Sequence, residues 1–244
     1  MRIYKTLYIG AFHTNYCEDF LVEEQIATDE KLIAVLDGCT MGTESVFASI
    51  LFGKVLRNIA KRVFYEEFVS NSSISLTLKL KEVIRQLFVE AGIIKNQLGL
   101  ETNELLSTLI IGIVNTESAE AEFFTVGDGL ICVDGKLIEY EQDDKPDYLG
   151  YHLNDNFEEW FESQQQRYSV SEFKDLSICT DGIFTFKNLD NKSGQKSETE
   201  IIHYLLIDSK LSEHNNFLDR KVRLLKSEWN HIVTDDLAII RVIA

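Results

Sequence analysis

Alternating apolar positions open the chain, and residues 3–10, 19–24 and 32–36 read as short strands, the last being Leu32-Ile33-Ala34-Val35-Leu36 running into Asp37-Gly38. The period then lengthens. Phe47, Leu51, Val55, Ile59 and Val63 recur every four residues, and Leu80, Ile84, Leu87, Phe88, Ala91 and Ile94 keep a similar face apolar. This spacing predicts two helices, each laying one stripe on a sheet. The two-residue period returns afterwards: 105–114, 122–126, 130–133 and 136–140 read as strands, with Asp134-Gly135 as a hairpin turn between the last pair. Residues 142–172 are polar and irregular and read as a flap-like surface excursion. A strand at 175–180 reaches Asp181-Gly182, helices are expected over 197–207 and 212–229, and 237–243 closes the chain as a strand.

Blocks of strands and helices, without regular βαβ alternation, predict an α+β fold with helices layered on mainly antiparallel sheets. No linker or internal repeat divides the 244 residues, so one domain spanning 1–244 is expected. With 45% hydrophobic residues the chain can bury a sizeable core, and no apolar run approaches the roughly 18 to 20 residues of a membrane span. A net charge of −16 repels phosphate backbones and anionic lipid, which argues against nucleic-acid and membrane-surface partners. The start, Met1-Arg2-Ile3-Tyr4-Lys5, lacks the apolar stretch of a signal peptide, so a cytoplasmic location is expected. Cys17, Cys39, Cys132 and Cys179 are widely spread and form no CxxC pair, a pattern that suits reduced buried thiols.

Chemistry enters with four Asp-Gly pairs: Asp37-Gly38, Asp128-Gly129, Asp134-Gly135 and Asp181-Gly182. After a strand such a pair is ordinarily a turn, and Asp134 fits that reading. Asp37, Asp128 and Asp181 instead follow strongly apolar runs, which puts carboxylates at the mouths of buried strands. Glu18-Asp19 and Asp235-Asp236 stand immediately before two further strands. Converging carboxylates repel unless a cation neutralises them, and oxygen-only donors suit hard ions such as Mg²⁺ or Mn²⁺ in a two-metal site. The competing reading is a set of solvated turns.

In order along the chain stand NYCED at 15–19, VLDGCTMG at 35–42, Ser107-Thr108, VGDG at 126–129, DDKPD at 143–147, CTDG at 179–182 and DDLAIIRV at 235–242. This ordered set resembles the landmarks of the metal-dependent protein phosphatase 2C family. The resemblance implies an αββα sandwich with a binuclear Mg²⁺ or Mn²⁺ centre at one end. Position by position, Asp37 is similar to the carboxylate bridging both metals and Gly38 to the residue offering its backbone oxygen. Asp181 and Asp235 resemble ligands of one ion, Glu18 a ligand or water-mediated support of the other, and Asp128 the aspartate of a third. The implied reaction is hydrolysis of phosphoserine or phosphothreonine in a protein by a metal-activated water, without a phosphoenzyme.

The chain also departs from the family pattern. Where many members carry a phosphate-gripping arginine, this sequence has Thr14, beside His13, and a protonated His13 is the replacement cation the sequence offers. Asp236 stands where asparagine is commoner, and the thiolate of Cys39 is disfavoured beside carboxylates. Trp160 and Phe161 are expected either to anchor the excursion over the site or to pack locally. The alternative function is a catalytically weak or inactive relative that binds a phosphoprotein or a cognate kinase, which the loss of arginine favours and the full carboxylate set disfavours. Hydrolysis of small phosphate esters is a third possibility for the same centre.

Overall fold

The apolar strand residues divide between two interiors. In a computed structural model describing residues 1–70, 74–142, 146–188 and 194–244, Ile33 and Val35 point to one side of their strand while Leu32, Ala34 and Leu36 point to the other. That is why the run at 32–36 is continuously apolar: its strand is covered on both faces. The chain order is β1 (Arg2–Tyr8), β2 (Phe20–Ala27), β3 (Glu30–Leu36), α1 (Ser45–Ser70), α2 (Leu76–Leu98), β4 (Leu109–Asn115), β5 (Ala121–Val126), β6 (Gly129–Val133) and β7 (Lys136–Tyr140). It continues with α3 (Leu149–His152), α4 (Phe157–Ser163), β8 (Arg167–Val170), β9 (Asp175–Cys179), β10 (Phe186–Asn188), α5 (Glu198–Ile202), α6 (Phe217–Ser227), β11 (His231–Val233) and β12 (Leu237–Ile243).

Two five-stranded antiparallel sheets result, ordered β1-β12-β9-β6-β7 and β2-β3-β4-β5-β8, with β10 and β11 forming a small ribbon. Their inner faces meet through Ile33, Val35, Ile110 and Phe123 on one side and Ile131, Ile178, Ile240 and Val242 on the other. The outer face of the β3 sheet packs under α1 and α2, and that of the β12 sheet under α5 and α6. The αββα sandwich and the α+β class expected from the sequence are thus observed. Among the described residues no helix is long and apolar enough to cross a membrane, and Cys39, Cys132 and Cys179 are buried free thiols.

Several predicted elements are corrected. A row repeating every four residues drifts around a 3.6-residue helix, so in α1 the buried stripe is centred on Phe52, Leu56 and Ile59 rather than on Phe47 and Leu51. The strand expected at 105–114 begins only at Leu109, because Ser107 forms an isolated bridge with Gly38. The predicted helix at 197–207 is α-helical to Ile202 and widens to a π turn over His203–Ile207, and the one at 212–229 covers 217–227.

The largest departure concerns the supposed flap at 142–172. It carries α3, α4 and β8, and β8 pairs with β5. Trp160 and Phe161 are buried against Phe88 and Phe124, so they pack into the helical core and anchor no lid. Of the DDKPD motif, residues 143–145 lie outside the described residues.

Candidate functional site

Antiparallel register brings the first two carboxylates together. Phe20 faces Leu36, so Asp19, just before β2, lies beside Asp37, just after β3. From the opposite sheet, Asp181 follows the end of β9 and Asp235-Asp236 precede β12, which is paired with β9 from Ile239 and Cys179 onward. Both sheets therefore deliver their acidic ends to the same edge of the sandwich.

The glycines in these motifs have a steric reason. A Cβ at Gly38 would strike the carbonyl of Ser45, and one at Gly182 the carbonyl of Asp236. These two positions need the absence of a side chain, which lets Asp37 and Asp181 sit on tightly approached backbone. Asp134-Gly135 differs. Both residues have positive φ, 49° and 83°, as a two-residue hairpin requires, and Asp134 Oδ1 accepts from the amides of Lys174 and Asp175. Asp134 is a turn residue.

The Asp19 and Asp37 carboxyls are neighbours whose ionisations are coupled. Burial pushes Asp19 up to about 8, and Asp181 and Asp236 reinforce the shift against the bond donated by Thr180. Asp37 is raised well above the carboxylate range by burial and then by the charges of Asp19, Asp181 and Asp235. Asp181 is pushed up to about 6 by burial, Asp235 and Asp128. Thr180 Oγ1 donates to Asp19 Oδ2 at 2.7 Å while accepting from the Ala238 amide at 2.9 Å, tying Asp19 to β12. Glu18 Oε2 accepts from Thr40 at 2.9 Å, and the Glu18 carbonyl accepts from the Gly38 amide at 3.1 Å. Thr108 donates its amide to the Asp37 carbonyl at 2.9 Å, which gives the Ser107-Thr108 motif a positioning role.

Asp236 is buried and fully used: Oδ1 accepts from the Gly10 amide at 2.7 Å, and Oδ2 from the Glu18 amide at 2.5 Å and His13 Nδ1 at 2.9 Å. His13 Nε2 also lies 3.3 Å from Asp235 Oδ1. Burial opposes charge on His13, but the Asp236 bond and the fields of Asp236, Glu18 and Asp235 outweigh it and raise its pKa. Thr14 is exposed. Cys39 packs with Leu106 and Tyr148, a structural place.

The structure places Asp37, Gly38, Asp181 and Asp235 at one edge together with Asp19, which the sequence reading counted among the converging carboxylates while giving the ligand role to its neighbour Glu18. The signal for Asp19 was position: Asp19 directly abuts the paired residue Phe20, opposite the strand end that carries Asp37. Among the described residues, no three acidic, histidine or cysteine side chains are grouped so that they could hold a metal ion as they stand. The donor chemistry nonetheless fits a hard cation. All donors are oxygen, and burial together with the neighbouring carboxylates raises the pKa of Asp19, Asp37 and Asp181, a penalty on their charge that a bound cation would relieve.

Comparison with solved structures finds the same fold in bacterial phosphatases. A mutant of a bacterial serine phosphatase is 12% identical, with a TM-score of 0.66 over 100% of this chain and 98% of its own. The catalytic domain of the serine threonine protein phosphatase PstP, solved with 2 manganese ions, is 13% identical, with a TM-score of 0.60 over 98% of this chain and 96% of its own. The PP2C domain of SpoIIE from Bacillus subtilis, with a regulatory fragment, is 15% identical, with a TM-score of 0.56 over 99% of this chain and 63% of that one. No curated protein matches the chain by sequence. The family model for protein phosphatase 2C, however, matches residues 13–219, which takes in every acidic motif except Asp235-Asp236; by this match and by its fold, the chain belongs to the protein phosphatase 2C family.

Proposed function

We propose that the chain is a metal-dependent serine/threonine phosphoprotein phosphatase that hydrolyses phosphomonoesters at a centre for two Mg²⁺ or Mn²⁺ ions. The observation that carries this reading is the convergence of Asp19 and Asp37 from one sheet and Asp181 and Asp235 from the other on one edge of the sandwich, where among the described residues no lysine or arginine is paired with them. Asp37, Asp181, Asp235 and the Gly38 carbonyl would hold the ions, with Glu18 as ligand or water-mediated support and Asp128 as a ligand of a third. Bound there, the ions would supply a water acidified toward neutral pH and positive charge for the phosphoryl oxygens. The chain's own part is positional. Thr180 fixes Asp19 against Asp37, Thr40 orients Glu18, and Asp236 locks Gly10, Glu18 and His13 into one frame.

One observation favours a second reading, a phosphoprotein- or kinase-binding relative with weak or no turnover. Thr14 offers no charge for phosphate, and the charge of His13 is engaged by Asp235 and Asp236. A Mn²⁺-dependent assay with p-nitrophenyl phosphate and then a phosphothreonine peptide separates the readings. Turnover abolished by EDTA and by Asp37→Asn supports the phosphatase. Peptide binding without turnover supports the alternative.

A further inference from the structure

Beside Asp235 lies a hollow of about 370 Å³ lined by Phe12, His13, Phe184, Lys187 and Asp235 among others. Its two cationic side chains are in different circumstances. His13 is spent on Asp235 and Asp236. Lys187 forms no ion pair among the described residues, and its ammonium rests over the ring of Phe12, 5.7 Å from the centroid. Lys187 is the middle residue of β10, paired with Ile232, and strand alternation buries its neighbour Phe186 while leaving Lys187 on the open side. Phe12 is 64% exposed, an apolar surface held outward at the rim.

On the phosphatase reading above, we infer that Lys187 and Phe12 form a specificity subsite that receives an acidic side chain of the substrate close to its phosphorylated residue. Three observations converge on this. The hollow adjoins Asp235, so a peptide presenting its phosphate to the centre has a flanking residue within one to three positions of the hollow, given roughly 3.3 Å of extended chain per residue. The adjoining edge is crowded with carboxylates in a chain of net charge −16, so a substrate carboxylate is repelled unless a local cation meets it. Lys187 supplies that cation, its ammonium paired with no carboxylate among the described residues, and Phe12 lies beneath it and offers a floor for the aliphatic stem of a glutamate.

The test uses phosphothreonine peptides carrying Glu or Gln at each of the three positions on either side of the phosphothreonine, assayed with Mn²⁺. Wild type should favour Glu at one of these positions by about fivefold in kcat/KM, expressed in KM, the scale of an exposed ion pair. In Lys187→Gln the Glu/Gln ratio should fall to about one, Lys187→Arg should retain it, and Lys187→Glu should shift preference to a Lys-containing peptide. A Glu/Gln ratio that survives Lys187→Gln, a loss shared equally by both peptides, or no Glu preference at any position overturns the subsite. If wild type turns over no substrate at all, the phosphatase reading fails separately. The same Glu/Gln contrast, read as binding of labelled peptides by fluorescence anisotropy, then decides the role of Lys187.

Discussion

Replacing Asp175 by alanine removes one partner of Arg241, the largest fully buried side chain among the described residues. The Arg241 side chain is 0% exposed and makes five hydrogen bonds: Nε and Nη2 to the Asp175 carboxylate at 2.9 and 2.5 Å, Nη1 to the carbonyls of Leu205 and Asp208 at 2.8 and 3.1 Å, and Nη2 to that of Ile207 at 3.0 Å. Arg241 thus closes the widened π turn that follows α5, whose carbonyls point inward toward β12. Asp175→Ala deletes two bonds to a charged group, each contributing roughly 1.5 to 3 kcal/mol, and leaves a buried guanidinium without a counter-ion. Because the Asp175 side chain is 23% exposed, water replaces part of the loss, and the expected cost is about 3 kcal/mol. For a chain of this length that lowers the thermal midpoint by about 6 to 12 °C.

Lys221 adds a pH signature. Burial pushes it down to about 8, against the fields of Asp208 and Asp175 that hold it up. Below that pH the native state bears the cost of charging Lys221, and the cost is relieved as pH rises from about 8 towards the free value of 10.5, where the unfolded chain binds more protons. Losing Asp175 deepens the depression, so the stability deficit of Asp175→Ala should be smaller at pH 10 than at pH 7. Urea denaturation, extrapolated at equal m-values, measures both effects. Asp175 opens β9 and Asp181 lies six residues on, roughly 20 Å along extended chain, so phosphatase activity of the folded variant should be retained. A loss under about 1 kcal/mol, or no coupling between Asp175→Ala and Arg241→Met in a double-mutant cycle, would show that the three carbonyls alone neutralise Arg241 and refute the reasoning.

Three other outcomes are expected. Mn²⁺ at a hundredfold excess over its dissociation constant should add about 2.7 kcal/mol of stability, read as a raised thermal midpoint against EDTA, and an unchanged midpoint contradicts the proposed centre. Asp37→Asn should lower kcat by orders of magnitude while raising the metal-free midpoint, because it removes a carboxyl from a repelling cluster, whereas Asp134→Asn should do little to kcat; equal losses would mean the wrong Asp-Gly pair was read as chemical. His152, bonded to Asp147 at 2.8 Å and to Asp155 at 2.9 Å, has its pKa raised first by the Asp147 bond, so its stabilising contribution is complete below about 6.5 and is lost as pH rises through the higher folded value. His152→Gln should therefore shrink the fall in thermal midpoint between pH 6 and 8, and an unaltered difference would show that the clamp contributes nothing.

Strands buried on both faces were the easiest elements to read, since Leu32–Leu36 needs no alternation to declare itself and its flanking turn residues fix its ends. Helix α4 was missed because Glu158, Glu159 and Glu162 surround its apolar pair and give the segment a polar average. The signal was in the cap instead: Asn156 accepts from the Glu159 amide at 3.2 Å, and a capping asparagine with a glutamate three residues on, followed by Trp160-Phe161, marks a one-sided helix start. The aromatic pair then pays for burial by stacking, Phe161 on Phe124 at 5.0 Å with the rings 3° from parallel.

At the site, residue type was legible and partnership was not. Asp235 and Asp236 are adjacent and chemically identical, yet the Asp235 side chain is 46% exposed toward the hollow while that of Asp236 is 1% exposed and accepts three hydrogen bonds. Successive strand residues face opposite ways, so one of the pair had to face inward, but which one depends on where β12 begins, and that is set by its register with β1, Tyr8 against Leu237. The same register carries Gly10 past the end of β1 onto the backbone of Asp235, so closely that a Cβ would collide there, and brings its amide to Asp236. His13 follows three residues later and meets both carboxylates. A histidine read from the sequence as a stand-in for the family's phosphate-gripping arginine is thus held first by the protein's own anions, because the end of β1 meets the start of β12; a cation beside the centre that forms no ion pair among the described residues comes instead from β10, at Lys187, a residue with no motif to mark it.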